Sequence, residues 1–560
     1  MTTRERSAST TPVPRTRRGR AVDRTLSRVL KLPRATGDYA VERGVTVPMR
    51  DGVDLLADVY APTGSSRGTI LVRGPYGRGG PFPLLFARVY AERGYHVVLQ
   101  SCRGTFGSGD VFAPMRSEIE DGADTVAWLR EQPWFGGRFA TLGLSYLGFT
   151  QLALMTDPPP ELACALVMVG PHDMWENVHG GGSFKLNDFL GWSDMVAHQE
   201  EGSVVSGLVR QARAGRRLAP ALAEAPLVEA GERVLAGGAP WYRDWVSQQG
   251  GDHPYWTPMR LSAALDRVQV PVLLFGGWQD LFLEQTLEQY AHLHGRGVDV
   301  ALTIGPWTHT EMLSKGASVT THETLDWLAE HLAGTGTRRR PAPVHLYVTG
   351  ADEWRDLPSW PPASTEQVLY LQPFGALGDE PPAPDLPPST FTYDPADPTP
   401  SAGGAAVMNA GPVDNRAVEQ RPDVLTYTSE PVASPLVITG PVTAELFAAS
   451  SRPHTDFFAR LCDVDPGGKS VNITDGILRL TSATEEPQRV AIDLWPTAHQ
   501  FQPGHRIRLQ VSSGAHPRYA RNPGSGEPLA TATTLHTAQQ AVYHDRAHPS
   551  AILLPVLATS

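Results

Sequence analysis

Ten residues, Thr141-Leu-Gly-Leu-Ser-Tyr-Leu-Gly-Phe-Thr150, constrain the fold more than any other part of this chain. A strand-like apolar run ends at Gly143, and a helix-like apolar stretch continues to Met155. A strand that becomes a helix across one residue, here Ser145, needs small neighbours so that the backbone can turn sharply. Gly143 and Gly148 provide them. A turn of this kind suits a parallel sheet with helices on its faces.

The surrounding pattern agrees. From Val41 to about Pro171, short apolar runs alternate with helical periods. Thr69-Ile-Leu-Val72 and His96-Val-Val-Leu99 read as buried strands, with a helix from Leu84 to Arg93 between them. A helix is expected from Ile119 to Gln132, with acids at its start, and a further buried strand from Ala163 to Val169. Strands alternating with helices imply a parallel sheet buried on both faces.

Residues 173–262 break the pattern. They hold helical stretches, such as Gly202 to Leu218 and Pro226 to Leu235, and no convincing buried strand, as expected of an inserted helical cap. Alternation resumes with Val270 to Phe275, a helix from Leu283, Val300 to Ile304, a helix from His322 and a last strand from Val344 to Val348. After a Pro-rich linker, Pro358 to Pro362, short runs punctuated by Gly, Pro, Asn and Asp suggest a sandwich or jelly roll. The expected organisation is therefore a doubly wound, mostly parallel α/β core over residues 38–172 and 263–362. A helical cap spans 173–262 and an all-β domain 363–560.

A chain of 560 residues is long enough for several domains. Apolar content of 41% and charged content of 19% suit a protein with large cores, and no apolar run reaches the ~18 residues of a membrane helix. Three widely spaced cysteines suit a reducing compartment, so a cytoplasmic location is expected. Residues 1–36 carry ten Arg or Lys against Glu5 and Asp23, a local +8 that leaves −19 on the rest of the chain. Residues 1–37 read as a flexible, solvated basic arm; the alternative is docking on the chain's own acidic surface or on a partner. The acidic body speaks against nucleic acid as a ligand, and oligomerisation is possible. No cluster of His, Cys and acids has ligand spacing, so neither a metal nor a cofactor is expected.

A serine lifted out of a sheet by such a turn is placed as a nucleophile; the competing reading is a Gly-bounded turn with a buried hydroxyl. To attack a carbonyl it needs a base, and the base needs an orienting acid. On a doubly wound sheet these should follow later strands, at their carboxyl ends. Asp280 follows the strand ending at Phe275, and His309 follows the strand ending at Ile304. Asp299 and Asp326 are weaker alternatives, one before its strand and one within a helix. The developing oxyanion needs donors. The Tyr146 N–H is the expected first, and the phenol of Tyr76, in Arg73-Gly-Pro-Tyr-Gly77, is a candidate second unless it merely packs in its turn.

Taken in order, these motifs resemble the cocaine esterase family of serine hydrolases, which includes α-amino acid ester hydrolases, glutaryl acylases and X-Pro dipeptidyl peptidases. The resemblance covers nearly all of residues 38–560. It rests on Met49-Arg-Asp-Gly52, Arg73-Gly-Pro-Tyr76, Arg103-Gly104, Gly143-Leu-Ser-Tyr-Leu-Gly148, Gly277-Trp-Gln-Asp280, Gly305-Pro-Trp-Thr-His309 and Pro503-Gly-His-Arg-Ile-Arg508. It implies an α/β-hydrolase core, an inserted helical cap and a C-terminal jelly roll. It also implies Ser145 as nucleophile, His309 as base, Asp280 as its orienter, and Tyr76 and Tyr146 as oxyanion donors. Phe282 matches an aromatic of the acyl pocket, and Trp192 resembles a cap aromatic facing it; for both, a core position is the alternative. Ser101 departs from the family pattern, which has an acid there, so the usual partner of Arg103 is missing.

The expected activity is hydrolysis of small-molecule carboxylic esters or amides through a Ser145 acyl-enzyme. Alternatives are an α-amino acid ester hydrolase or X-Pro-type aminopeptidase, a biosynthetic acyltransferase and, much less favoured, a binding protein with a relic core. The amine-selective reading needs a carboxylate beside the site, for which Asp173, Glu176 and Asp188 are candidates.

Overall fold

The computed structural model describes residues 12–202, 204–336 and 340–557. One sheet of eleven strands runs, edge to edge, through Val13–Pro14, Tyr39–Pro48, Asp54–Pro62, His96–Ser101, Thr69–Gly74, Phe139–Leu144, Leu162–Met168, Val272–Gln279, Val300–Thr308, Val344–Val348 and Glu353–Leu357. From His96–Ser101 to Val344–Val348 every neighbour is parallel. The strands at both edges are antiparallel. The central strands are continuous apolar runs because helices cover both faces and leave no wet side. The helix Tyr146–Leu154 shows the same logic: all 9 of its residues are buried, so it lies inside the molecule rather than on it.

Between Met168 and Val272 the described residues form helices without entering the sheet, among them Leu186–Ala197, Val204–Ala223 and Trp241–Ser247. The sheet gains one strand beyond the expected last one: Glu353–Leu357 pairs antiparallel with Val344–Val348. It is short, charged and half exposed, as edge strands commonly are, and so carries little hydrophobic signal. The chain beyond residue 365 builds a second eleven-stranded sheet around its own apolar cluster, which includes Leu461, Leu494 and Leu509. Trp495, Ala520 and Leu529 from this half join the core cluster of the first.

The basic N-terminal segment is not the flexible arm the composition suggests, at least from Pro12 onward. Val13–Pro14 pairs with Tyr39–Pro48, and Arg17–Val29 is a helix whose Thr16 side chain accepts a hydrogen bond from the Gly19 N–H. Asp23, the one acid in that helix, is buried among Arg15 (2.7 Å), Arg88 (2.6 Å) and the Tyr39 hydroxyl (2.9 Å). Arg15 also reaches Glu92 at 2.9 Å. A buried carboxylate with two guanidinium partners and a phenol is satisfied where a lone one would not be. That network docks the segment from Pro12 onward on the body; residues 1–11 lie outside the described residues.

Candidate active site

The elbow forms as its small residues require. Ser145 sits at φ 58° and ψ −122°, a conformation that side chains rarely adopt. It is held by its N–H donating to the Met168 carbonyl (2.8 Å) and its own carbonyl accepting from Gly148 (2.8 Å) and Phe149 (3.1 Å). Such strain persists only where surrounding structure enforces it. A Cβ on Gly143 would lie 2.3 Å from Leu147 Cβ, and one on Gly148 would lie 2.5 Å from Gly170 Cα. The second glycine is therefore placed by the close approach of helix to neighbouring strand end. Gly148→Ala is expected to force those backbones apart at a cost of about 1–3 kcal/mol. A melting midpoint equal to the parent's would contradict that account of the contact.

Asp280 and His309 leave adjacent parallel strands at the same end. Asp280 is fully buried. Its Oδ2 lies 2.6 Å from His309 Nδ1, and its Oδ1 accepts the Phe282 N–H at 2.7 Å. A carboxylate only accepts, so the ring proton sits on Nδ1 and Nε2 is free to act as a base. The Phe282 ring meets the imidazole edge-on, with centroids 5.5 Å apart.

Ser145, His309, Tyr76, Tyr146, Phe282 and Trp192 line one cavity of about 690 Å³. Asp280 lies behind His309 rather than on the wall. Burial pushes the pKa of the Tyr76 phenol up to about 12, so it stays a proton donor at neutral pH. Trp192 Nε1–H donates to the same phenol oxygen at 3.0 Å. That occupies a lone pair of the oxygen and leaves the phenolic proton to point elsewhere. Trp192 also stacks on Tyr146 and Trp245, so it is at once a wall and a support. A cavity of this size, mainly apolar with few polar groups, suits a small organic molecule.

The candidate carboxylates separate. Asp173 caps the helix Met174–His179 and pairs with Arg260 at 2.7 Å, and neither it nor Glu176 is on the cavity wall. Asp188 is on the wall and buried. Its Oδ1 accepts the Val407 N–H at 2.9 Å, whereas its Oδ2 has no hydrogen-bond partner. Burial raises its pKa despite the charges of Arg518 and Lys185 nearby.

Ser101 has other work than holding Arg103. Its hydroxyl accepts from Arg78 Nη1 at 2.5 Å, while Arg103 binds Asp121 (2.6 Å), Asp51 (2.8 Å) and Asp110 (3.2 Å). Sequence reasoning missed Glu118 altogether. It is buried beneath the site and bonded to Tyr146 and Arg73, although acids at a helix start ordinarily face solvent.

Comparison with known proteins adds to this geometry. Residues 51–311 match the model of the X-Pro dipeptidyl-peptidase (S15 family), and residues 336–553 match that of the X-Pro dipeptidyl-peptidase C-terminal non-catalytic domain. Cocaine esterase of Rhodococcus sp. is 32% identical over 577 residues, covering 93% of this chain and 99% of that one. The solved structure of an α-amino acid ester hydrolase aligns with a TM-score of 0.78 at 26% identity, over 94% of this chain and 98% of the other. An aminopeptidase from a marine sediment archaeon (Thaumarchaeota archaeon) shares the fold, with a TM-score of 0.82 at 24% identity over the same shares.

Proposed function

We propose that this chain, which belongs to the cocaine esterase and X-Pro dipeptidyl-peptidase (S15) family of serine hydrolases, cleaves small-molecule carboxylic esters through an acyl-enzyme on Ser145. The observation that carries the reading is the Asp280–His309 contact of 2.6 Å, with His309 and Ser145 on one cavity wall. His309 Nε2 takes the Ser145 Oγ proton as Oγ bonds to the carbonyl carbon. The carbonyl oxygen becomes an oxyanion and accepts hydrogen bonds from the Tyr76 hydroxyl and the Tyr146 N–H. Collapse of this intermediate breaks the ester C–O bond, and the alcohol leaves with the proton held by His309. Water, deprotonated by His309, then repeats the sequence and frees the acid and Ser145. No helix of the described residues is long and apolar enough to cross a membrane. The three free, buried cysteines support a reducing, cytoplasmic setting.

The test is turnover of matched aryl esters and aryl amides of one acyl group, with product analysis. Ester turnover that disappears on labelling with a fluorophosphonate supports the reading. Turnover that continues in fully labelled enzyme contradicts it.

One observation favours a second reading, selectivity for acyl groups bearing an amine: Asp188, a buried carboxylate among the residues of the cavity wall, has no hydrogen-bond partner for its Oδ2. A hydrogen bond to a charged group contributes about 1.5–3 kcal/mol, or roughly 10- to 150-fold in kcat/KM. The parent should therefore prefer an α-amino ester to its deamino analogue, and Asp188→Asn should lose most of that preference while keeping its activity on the analogue. Equal rates for the two esters in the parent would remove this reading and leave the first intact.

A further inference from the structure

We propose that Glu118 is a positioning residue that holds the two halves of the oxyanion hole in register. The inference rests on the reading above that Tyr76 and Tyr146 donate to the oxyanion. Those donors come from different places in the fold. Tyr76 follows the strand Thr69–Gly74, and Tyr146 opens the helix after the elbow. Both segments are tied to the same carboxylate. Arg73 Nη2 donates to Glu118 Oε2 at 3.0 Å, and Arg73 Nη1 donates to the Glu118 main-chain carbonyl at 3.1 Å. The Tyr146 hydroxyl donates to Glu118 Oε1 at 2.9 Å. Arg73 lies three residues before Tyr76, and Tyr146 is itself the residue whose N–H is in question.

All three residues are at most 4% exposed. Burying an ion pair is costly unless its remaining hydrogen-bonding capacity is met. Here it is: Arg73 Nε donates to Gln100 Oε1 at 2.7 Å, and the Tyr146 oxygen accepts the Met115 N–H at 2.7 Å. Burial and the Glu118 carboxylate raise the Tyr146 pKa well above its ordinary value, so the phenol remains a donor to Glu118. Met115 lines the cavity, which brings the network to the wall facing the substrate. A packing role alone needs no charge at this depth. A carboxylate offers two oxygens, and here one goes to each half of the hole. Glu118 is also the first residue of the helix Glu118–Arg130, where a negative charge is favoured by the helix dipole.

The test is Tyr146→Phe, which removes the hydroxyl and keeps both the ring and the backbone N–H. A small displacement of donors costs on the order of 10- to 100-fold in rate. In folded Tyr146→Phe, kcat and the fluorophosphonate labelling rate should fall together by that factor, with KM within about threefold of the parent. Glu118→Gln should behave alike, and the double variant should be no slower than the slower single, because both act through one contact. Parent-like kcat in folded Tyr146→Phe, or effects that multiply in the double variant, would overturn the proposal. If Glu118→Gln does not fold, Tyr146→Phe alone decides. Tyr76→Phe separates the two layers. Loss of rate there with parent-like Tyr146→Phe defeats the role of Glu118 alone. Parent-like rate in Tyr76→Phe defeats the oxyanion reading and the proposal with it.

Discussion

Ser145→Ala is expected to lower kcat by about a millionfold, to the residual rate that binding and the oxyanion donors sustain alone. The substitution deletes one oxygen from a residue whose backbone is already fixed. Hydrogen bonds to Met168, Gly148 and Phe149 hold the turn, and none uses the side chain. The Asp280–His309 pair, Tyr76 and the cavity wall do not depend on Oγ for their positions. Substrate binding should therefore survive, and a competitive product acid should bind the variant as it binds the parent. Turnover within tenfold of the parent would show that the chemistry occurs elsewhere.

Asp280→Asn is expected to cost about ten-thousandfold in kcat through proton placement alone. The amide has nearly the shape of the carboxylate, and its oxygen can still accept the Phe282 N–H that Oδ1 accepts now. Its NH2 then faces His309 Nδ1, where Oδ2 lies at 2.6 Å in the parent. Two donors cannot meet there, so Nδ1 gives up its proton and Nε2 carries one, which leaves Ser145 without a base. The effect should fall on kcat and on fluorophosphonate labelling, with the melting midpoint little changed. A loss confined to KM would mean that Asp280 shapes the pocket rather than the imidazole.

The parts of this site that could be read from the sequence are those whose signal is local. Ser145 announces itself because a sharp strand-to-helix turn demands glycine at Gly143 and Gly148, and the contacts with Leu147 and Gly170 show why. Asp280 and His309 were legible because each directly follows a strong apolar strand, and strand ends on one side of a parallel sheet converge. Phe282 and Trp192 are ambiguous in the sequence between core and pocket, and the structure shows both roles: Phe282 is buried, Trp192 is partly buried against the core, and both are on the cavity wall. What stayed hidden depends on partners distant in the chain. The N-terminal helix docks through Asp23, whose partners include Arg88 and Tyr39 on other elements, so composition favours a solvated basic arm and leaves docking on the body only as the alternative. Glu118 looks like any acid at a helix start until Arg73 and Tyr146 close over it. The strand Glu353–Leu357 pairs with the edge beside it and packs Trp354 on Trp307 and Tyr347, contacts that its charged sequence does not announce.

The most direct measurement is the mass of the intact protein after reaction with an excess of fluorophosphonate, followed by peptide mapping. The account predicts one adduct per chain, located on Ser145, with activity lost in proportion to labelling and no adduct in Ser145→Ala. An enzyme that turns over esters yet stays unlabelled, or carries its adduct on another residue, would contradict it.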